Sequence, residues 1–213
     1  MLVLAVVTAA LLAGVPGVVQ ATDSAGVTDS PGVAWRIAKE VDGITVWSAE
    51  TRNDFWGYAR GRVDATPAAI FHRISNFEEL PRMFPTLDHV EVLQRDASSA
   101  LVWFHYDLPW PLSDREYTAQ HRWWTEPSGT IVLDVEGVDG SRPDDGAVEV
   151  ERVLTRIVMA PLDGGAASEV EYLFRADMAG LLPRAVRSQT AWKIPLNVML
   201  SMRRSLAPSL AAR

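Results

Sequence analysis

The sequence predicts an α+β fold in which one strongly curved antiparallel sheet surrounds a long C-terminal helix. Two β-rich runs come first, a short helix follows, and six further β-like segments precede a final amphipathic segment. That order is typical of a sheet packed against helices. At 213 residues the chain can bury one sizeable core but is short for several, so a single domain is expected.

The first predicted elements are two strands and a helix. Ile44–Trp47 and Phe55–Val63 are rich in β-branched and aromatic residues, which predicts that the domain opens with two strands in a hairpin. Thr66 then supplies a helix N-cap followed directly by proline, and apolar residues recur at helical spacing. These signals predict a short helix over Pro67–Ser75, with a ragged second turn that reaches Pro81.

The middle of the chain alternates short β-like runs with turn residues such as Pro127-Ser128-Gly129, which indicates an antiparallel meander. The predicted strands are Val90–Arg95, Leu101–Leu108, Tyr117–Thr125, Thr130–Val135, Val148–Met159 and Glu169–Met178.

Apolar residues at helical spacing predict a long terminal helix over Leu182–Leu206. At about 1.5 Å per residue this helix would be roughly 35 Å long, enough to cross the whole sheet. Pro195 lies inside it and is expected to kink it.

The N-terminal residues have the pattern of a secretory signal. An apolar run over Leu2–Leu12 is followed by Val19-Gln20-Ala21, which fits a signal-peptidase site. We therefore expect a signal peptide over residues 1–21, a flexible segment over 22–32, and export to the periplasm or the medium. The usual basic residues before the apolar run are missing, so an uncleaved membrane anchor is the alternative. The chain has no cysteine, so an oxidising compartment would not affect its fold.

The charge distribution excludes one class of partner and suggests another. The formal net charge is −7, which argues against nucleic-acid binding, since nucleic-acid-binding proteins neutralise phosphates with clustered Lys and Arg. From residue 178 onward there are six basic residues and no Asp or Glu, so this segment carries +6 and residues 1–177 carry −13 (−7 minus 6). A basic terminal helix could dock on anionic membranes through Arg184, Arg187 and Lys193. The alternative is a packed helix with a solvated basic edge.

Motifs for catalysis or metal binding are absent from the sequence: GxSxG, HExxH, GxxxxGK[ST] and a strand-following GxGxxG do not occur. The four histidines, His72, His89, His105 and His121, are isolated, which is typical of surface or hydrogen-bonded core histidines and not of metal ligands. We therefore expect no cofactor and no metal site.

The most specific pattern lies between two of the predicted strands. The segment Asp107–Tyr117, which reads DLPWPLSDREY, resembles the PWP-x-S-x-RD[FY] signature of START domains, the StAR-related lipid-transfer family of the helix-grip, Bet v 1-like superfamily. Pro109, Trp110 and Pro111 would form a stiff crossover that joins no strand, and Arg115 could tie that loop to a carboxylate or a backbone carbonyl. A glutamate replaces the more usual aspartate after this arginine.

The resemblance extends over residues 33–210. Asp42–Val46 is similar to the family's DGI-x-V strand, Ala65–Ile70 to its short helix, and Gly180–Pro183 to the G-x-[IL]-P segment before its terminal helix. The family's Trp-Val-Asn after that proline is absent. The resemblance implies one START-like domain over residues 33–210, of a bacterial exported type.

The resemblance also implies a helix-grip fold with an internal tunnel that takes up one lipid or other apolar molecule. Family members are chiefly carriers or lipid sensors and not enzymes. Eight Trp, six Phe, six Met and four Tyr exceed what a minimal core needs, which agrees with an apolar cavity, although these side chains could also simply fill a core. The leading hypothesis is a monomeric carrier of a lipid, sterol-like or isoprenoid molecule.

One predicted strand offers a row of candidate ligand contacts. Tyr117, His121 and Trp123 share a face that begins with Arg115, and by the family's pattern this row faces the tunnel. The predicted lipid-binding residues are Trp103, His105, Tyr117, His121, Trp123, Leu182, Val186 and Gln189.

The sequence leaves open which face of the preceding strand points inward. Trp103 and His105 share one face and are favoured as the inward pair. The other face carries Val102, Phe104 and Tyr106. His105 and His121 would then bind a hydroxyl or amide head of the ligand, unless both bond the backbone at the sheet edge.

The second hypothesis is an enzyme similar to the polyketide aromatase/cyclases, which are related helix-grip domains. His105, His121, Tyr117 and Arg115 would be its acid–base candidates. Export argues against this hypothesis, since polyketide tailoring is intracellular. A third possibility, a ligand-gated interaction module, has no motif in the sequence.

Overall fold

The structure of the protein, a computed structural model, describes residues 33–50, 54–108, 113–139, 146–150, 152–177 and 184–207, with backbone alone for 184–187. They all fall in one compact unit, Pro31–Arg213. The strands are β1 (Arg36–Val41), β2 (Ile44–Glu50), β3 (Phe55–Val63), β4 (Leu87–Arg95), β5 (Ser99–Tyr106), β6 (Arg115–Thr125), β7 (Ile131–Val138), β8 (Val148–Glu149), β9 (Arg152–Leu162) and β10 (Ala167–Asp177). The helices are α1 (Pro67–Ile74), α2 (Leu80–Met83) and α3 (Arg184–Leu206), with 3₁₀ turns at Phe77–Glu79 and Asp163–Gly165.

The strands form one sheet in the order β1-β2-β3-β10-β9-β7-β6-β5-β4. Neighbours along this path are antiparallel, and β8 pairs in parallel with β6 at Arg115 and Glu116. The pairing of β3 with β10 brings the first strands of the chain beside the last. The predicted α+β fold, an antiparallel sheet around a C-terminal helix, is confirmed.

Alternation along the strands places the main core on one side of the sheet. Tyr172 of β10 lies opposite Ala59 of β3 and Ile157 of β9, and all three belong to the core. Since paired residues point to the same side, this register carries the apolar side across the whole sheet. We call it the concave face. Fully burying a Val, Leu, Ile or Phe side chain there stabilises the fold by about 1.5–3 kcal/mol.

Helix α3 packs chiefly on β2 and β3 of the concave face. It approaches β3 so closely at Gly57 that a Cβ atom there would lie 2.1 Å from the carbonyl oxygen of Ala191. In a regular helix the Ala191 carbonyl would accept a hydrogen bond from the amide of residue 195. Pro195 has no amide hydrogen, so this oxygen can face the strand instead. The helix nevertheless continues through Pro195 to Leu206.

Local signals account for α1. The Thr66 side chain accepts a hydrogen bond of 3.1 Å from the Ala69 amide, Pro67 begins the helix, and Ile70 and Ile74 are buried. The predicted helix is confirmed and ends at Ile74, one residue early. The ragged second turn is the 3₁₀ turn followed by α2, which extends past Pro81.

Two strand predictions are wrong. The domain opens with three strands, because β1 precedes the predicted pair. This edge strand exposes Arg36, Lys39 and Glu40. It therefore lacks the apolar alternation that marks a half-buried strand. The predicted strand over Val148–Met159 is divided, since β8 pairs with β6 and β9 pairs with β7 and β10.

Candidate functional site

The helices cover the concave face unevenly. While α3 lies on β2 and β3, α1 contacts β7 and β9, and α2 contacts β4. On this face, aromatic side chains pack against the core yet stay partly accessible to solvent. These residues, here called the aromatic half, are Tyr106, Tyr117, Trp123, Phe71 and Phe84. The aromatic half is therefore the candidate binding surface.

Strand β6 supplies the central row of this surface. Tyr117, His121 and Trp123 all lie on the concave face, where Trp123 contacts the Phe71 ring of α1 at 5.5 Å between centroids and Tyr117 contacts Phe104 at 5.1 Å. Their common orientation follows from the strand's alternation.

The expectation that Trp103 and His105 point inward is wrong. Phe104 lies directly opposite Tyr117 in the β5–β6 ladder, so Phe104 shares the concave face and its neighbours in sequence point outward. On the outer side, His105 Nδ1 lies 2.7 Å from Asp88 Oδ1, and the His105 ring lies 5.9 Å from that of Trp103. Neither side chain can contact a ligand on the concave face.

His121 is buried and electrically neutral at pH 7. Its ring packs edge-on against Phe77 at 4.8 Å, and Nδ1 lies 3.2 Å from the carbonyl oxygen of Ala119. Burial lowers the pKa of His121 to about 4, although hydrogen bonds with the Ala119 and Ala100 carbonyls act in the opposite direction. The imidazole therefore bonds the strand backbone, which supports the alternative to its role as a ligand anchor.

Polar side chains lie at the other end of the β6 row, where the strand begins. The hydroxyl groups of Tyr106 and Tyr117 are 3.2 Å apart. Beside them, Arg115 is only 6% exposed, and its Nη1 donates to the carbonyls of Ser113 and Asp114 at 2.7 and 3.2 Å. Burial raises the pKa of both tyrosines and lowers the pKa of Arg115, so the phenols stay protonated at neutral pH. Sequence reasoning missed Tyr106 because it favoured the wrong face of β5.

The remaining predicted site residues are only partly described. Pro109, Trp110, Pro111 and Leu182 lie outside the described residues, as do the side chains of Arg184, Val186 and Arg187. Gln189 is exposed on α3 and accepts a hydrogen bond of 2.7 Å from Lys193, which also lies over the Trp192 ring. Gln189 thus faces away from the aromatic half.

The described residues show neither a metal-binding cluster nor a membrane-spanning helix. In this part of the chain, no group of three or more His, Asp or Glu side chains is placed to hold a metal ion. The same residues contain no helix that is long and apolar enough to cross a bilayer.

Known proteins share this architecture. A STAR-related lipid transfer protein of Xanthomonas axonopodis matches with a TM-score of 0.74 and 21% identity, over 82% of this chain and 99% of that one. Human StAR-related lipid transfer protein 5 matches with a TM-score of 0.73 and 16% identity, over 84% and 88% of the two chains. A Streptomyces aromatase/cyclase matches with a TM-score of 0.53 and 13% identity, over 71% and 93%.

Sequence comparison leads to the same group. An uncharacterized protein of Pseudomonas aeruginosa is 22% identical over 172 residues, which are 79% of this chain and 85% of that protein. Residues 63–197 match the family model described as polyketide cyclase/dehydrase and lipid transport. With more than half of its residues inside that match and a START-like helix-grip fold, the chain belongs to the polyketide cyclase/dehydrase and lipid transport family.

Proposed function

We propose that the protein binds one apolar molecule against its aromatic half and carries or sequesters it. The observation behind this proposal is the uneven cover of the concave face. Apolar rings such as Tyr117 and Trp123 face inward, pack against the core and stay partly accessible to solvent, on a part of the sheet that α3 does not cover. Such surfaces, with few polar groups, are the usual sites of small apolar ligands.

Two further facts support a carrier. The family description includes lipid transport, and structures of named lipid transfer proteins share the fold. The ligand class proposed on this basis is a lipid, sterol-like or isoprenoid molecule. The fold alone does not select among these.

A cyclase-like enzyme is the second candidate, because the family description also names polyketide cyclases and a Streptomyces aromatase/cyclase shares the fold. Of its four acid–base candidates, His105 points outward and His121 is bonded to backbone carbonyls, which leaves Tyr117 and Arg115. The carrier is therefore favoured. Turnover of a poly-β-keto substrate by the purified protein would reverse this preference.

Export and membrane contact are also proposed. The apolar N-terminal run favours export, and detection of a mature chain that begins near residue 22 in the periplasm or medium would test it. On α3, Lys193 and Arg204 are exposed and could contact anionic headgroups. Arg203 has a different role, since its guanidinium donates to the carbonyls of Arg62 and Asp42 and ties α3 to the sheet.

The first test is native mass spectrometry of the protein purified from its own cells, followed by organic extraction of anything bound. A stoichiometric apolar molecule is expected. A protein that is reproducibly empty and takes up no lipid from vesicles would contradict the carrier function.

Two adjacent tryptophans provide a matched pair of variants for lipid uptake. Trp123 faces the concave side against Phe71, whereas Trp124 is 40% exposed on the outer side beside Arg156. We expect Trp123→Ala to weaken uptake about tenfold or more, because a buried aromatic contact area is lost. Trp124→Ala should leave uptake unchanged; equal effects of the two variants would place the ligand elsewhere.

A further inference from the structure

Three polar residues are neighbours at the start of β6, on the concave face. Tyr106 lies directly opposite Arg115 in the β5–β6 ladder, and Tyr117 follows two residues along the same strand. Opposed residues of an antiparallel pair have Cβ atoms about 5 Å apart and point to one side, so the three side chains can contact the same end of a ligand.

The hydrogen-bond donors in this cluster outnumber the acceptors. A phenol has one proton, so the contact between the Tyr106 and Tyr117 hydroxyls uses only one of the pair's two protons. Arg115 donates through Nη1 to two carbonyls, but its Nε is buried and has no hydrogen-bond partner in the described part of the chain. At least two donors, one phenol proton and the Arg115 Nε–H, are therefore left over, and leaving a buried donor unpaired is costly.

The charge of the cluster is also incompletely balanced. Among the residues that the structure describes, Glu116 is the only buried acid, and it lies opposite His105 on the outer side of the sheet. No ion pair joins Arg115 to a described carboxylate. The adjacent Asp114 accepts the Leu108 amide at 3.1 Å, and its charge raises the pKa of Arg115 less than burial lowers it. A buried cation normally has a hydrogen-bonded anionic partner.

From these observations we infer that the apolar ligand ends in a carboxylate, which Arg115, Tyr106 and Tyr117 hold at the start of β6. This inference rests on the proposed carrier function and names its substrate class. A carboxylate brings only acceptors and a negative charge, which complements two surplus donors and one buried cation. An alcohol head would add a further donor and leave the charge of Arg115 unbalanced.

The test compares palmitate with hexadecanol, which share an alkyl chain but differ in the head. Each competes with a fluorescent apolar ligand for the full purified chain. The variants are Tyr106→Phe and Tyr117→Phe, which remove one hydroxyl and no ring, while Arg115 is left intact because it also holds the Ser113–Asp114 backbone. Tyr58→Phe, on the outer side of β3, is the matched control.

Palmitate is expected to bind the wild-type protein at least tenfold more tightly than hexadecanol, since hydrogen bonds to a charged group are stronger than neutral ones. Each concave-face variant should weaken palmitate binding about tenfold and hexadecanol binding less than about twofold, while Tyr58→Phe changes neither. Equal effects on the two ligands would overturn the carboxylate inference but keep the carrier function. If the fluorescent ligand binds but neither competitor displaces it, the carboxylate inference fails and the carrier function stands; if the wild-type protein binds none of the three, both fail.

Discussion

Burial of a single imidazole couples the stability of this protein to pH. Folding lowers the pKa of His121 from 6.5 to about 4. Between pH 6.5 and about pH 4, the imidazole is therefore protonated in the unfolded chain and neutral in the folded chain. The free energy of unfolding should therefore be unaffected by His121 above pH 7 and decrease as the pH falls through this window. The expected loss is about 2 kcal/mol between pH 7 and pH 5.

Urea unfolding at the two pH values measures this loss. In His121→Phe, which keeps a ring beside Phe77 and removes the titrating group, the difference between pH 7 and pH 5 should shrink by about 2 kcal/mol. His72→Gln, at an exposed position of α1, is the control and should retain the wild-type difference. If His121→Phe retained it too, the imidazole would be charged or accessible in the folded protein.

At the scale of the element, Gly57 determines how closely α3 can pack on the sheet. A Cβ atom there would lie 2.1 Å from a backbone oxygen of α3 and 2.9 Å from Pro195 Cγ, and backbone cannot move aside cheaply. Gly57→Ala should lower the free energy of unfolding by about 3 kcal/mol or more, at or above the range for overpacked cores.

Gly61, on the same strand and the same face, provides a graded comparison. The nearest atoms to its Cβ position lie at 3.1 Å, so Gly61→Ala should be less destabilising than Gly57→Ala in urea unfolding. Equal effects would mean that the loss comes from strand glycine in general and not from contact with α3.

The sequence predicts an element well when contacts within that element determine it, and poorly when the element forms by pairing with another. Helix α1 is predicted nearly to the residue because Thr66 and Pro67 act through contacts within one turn. Strand β1 is missed because it is an edge strand whose exposed charges give no apolar alternation, and it forms by pairing with β2. Strand β1 therefore depends on its pairing with β2, which the residue pattern of β1 alone does not reveal.

At the scale of the whole molecule, the same limit applies to the candidate site. The concave orientation of Tyr117 and Trp123 was predicted correctly, whereas Tyr106 was missed and His105 was misplaced. Alternation divides the side chains of β5 into two sets, but only the pairing of Phe104 with Tyr117 selects the inward set. Register between strands is a long-range property, so the polar cluster at the start of β6 is visible only in the structure.

Docking on a membrane would be a property of the whole molecule, because the body of the chain is acidic and only its terminal segment is basic. Each basic residue near an anionic surface adds about 1 kcal/mol, so replacing Lys193 and Arg204 by Gln should lower the partition coefficient onto phosphatidylserine vesicles roughly thirtyfold. Co-sedimentation with vesicles of increasing phosphatidylserine content measures this, and added salt should weaken binding of the wild-type protein. Arg122→Gln, exposed on the outer face of β6, removes one positive charge away from α3 and should bind like the wild type. Binding that does not depend on anionic lipid would instead leave α3 as a packed helix with a solvated basic edge.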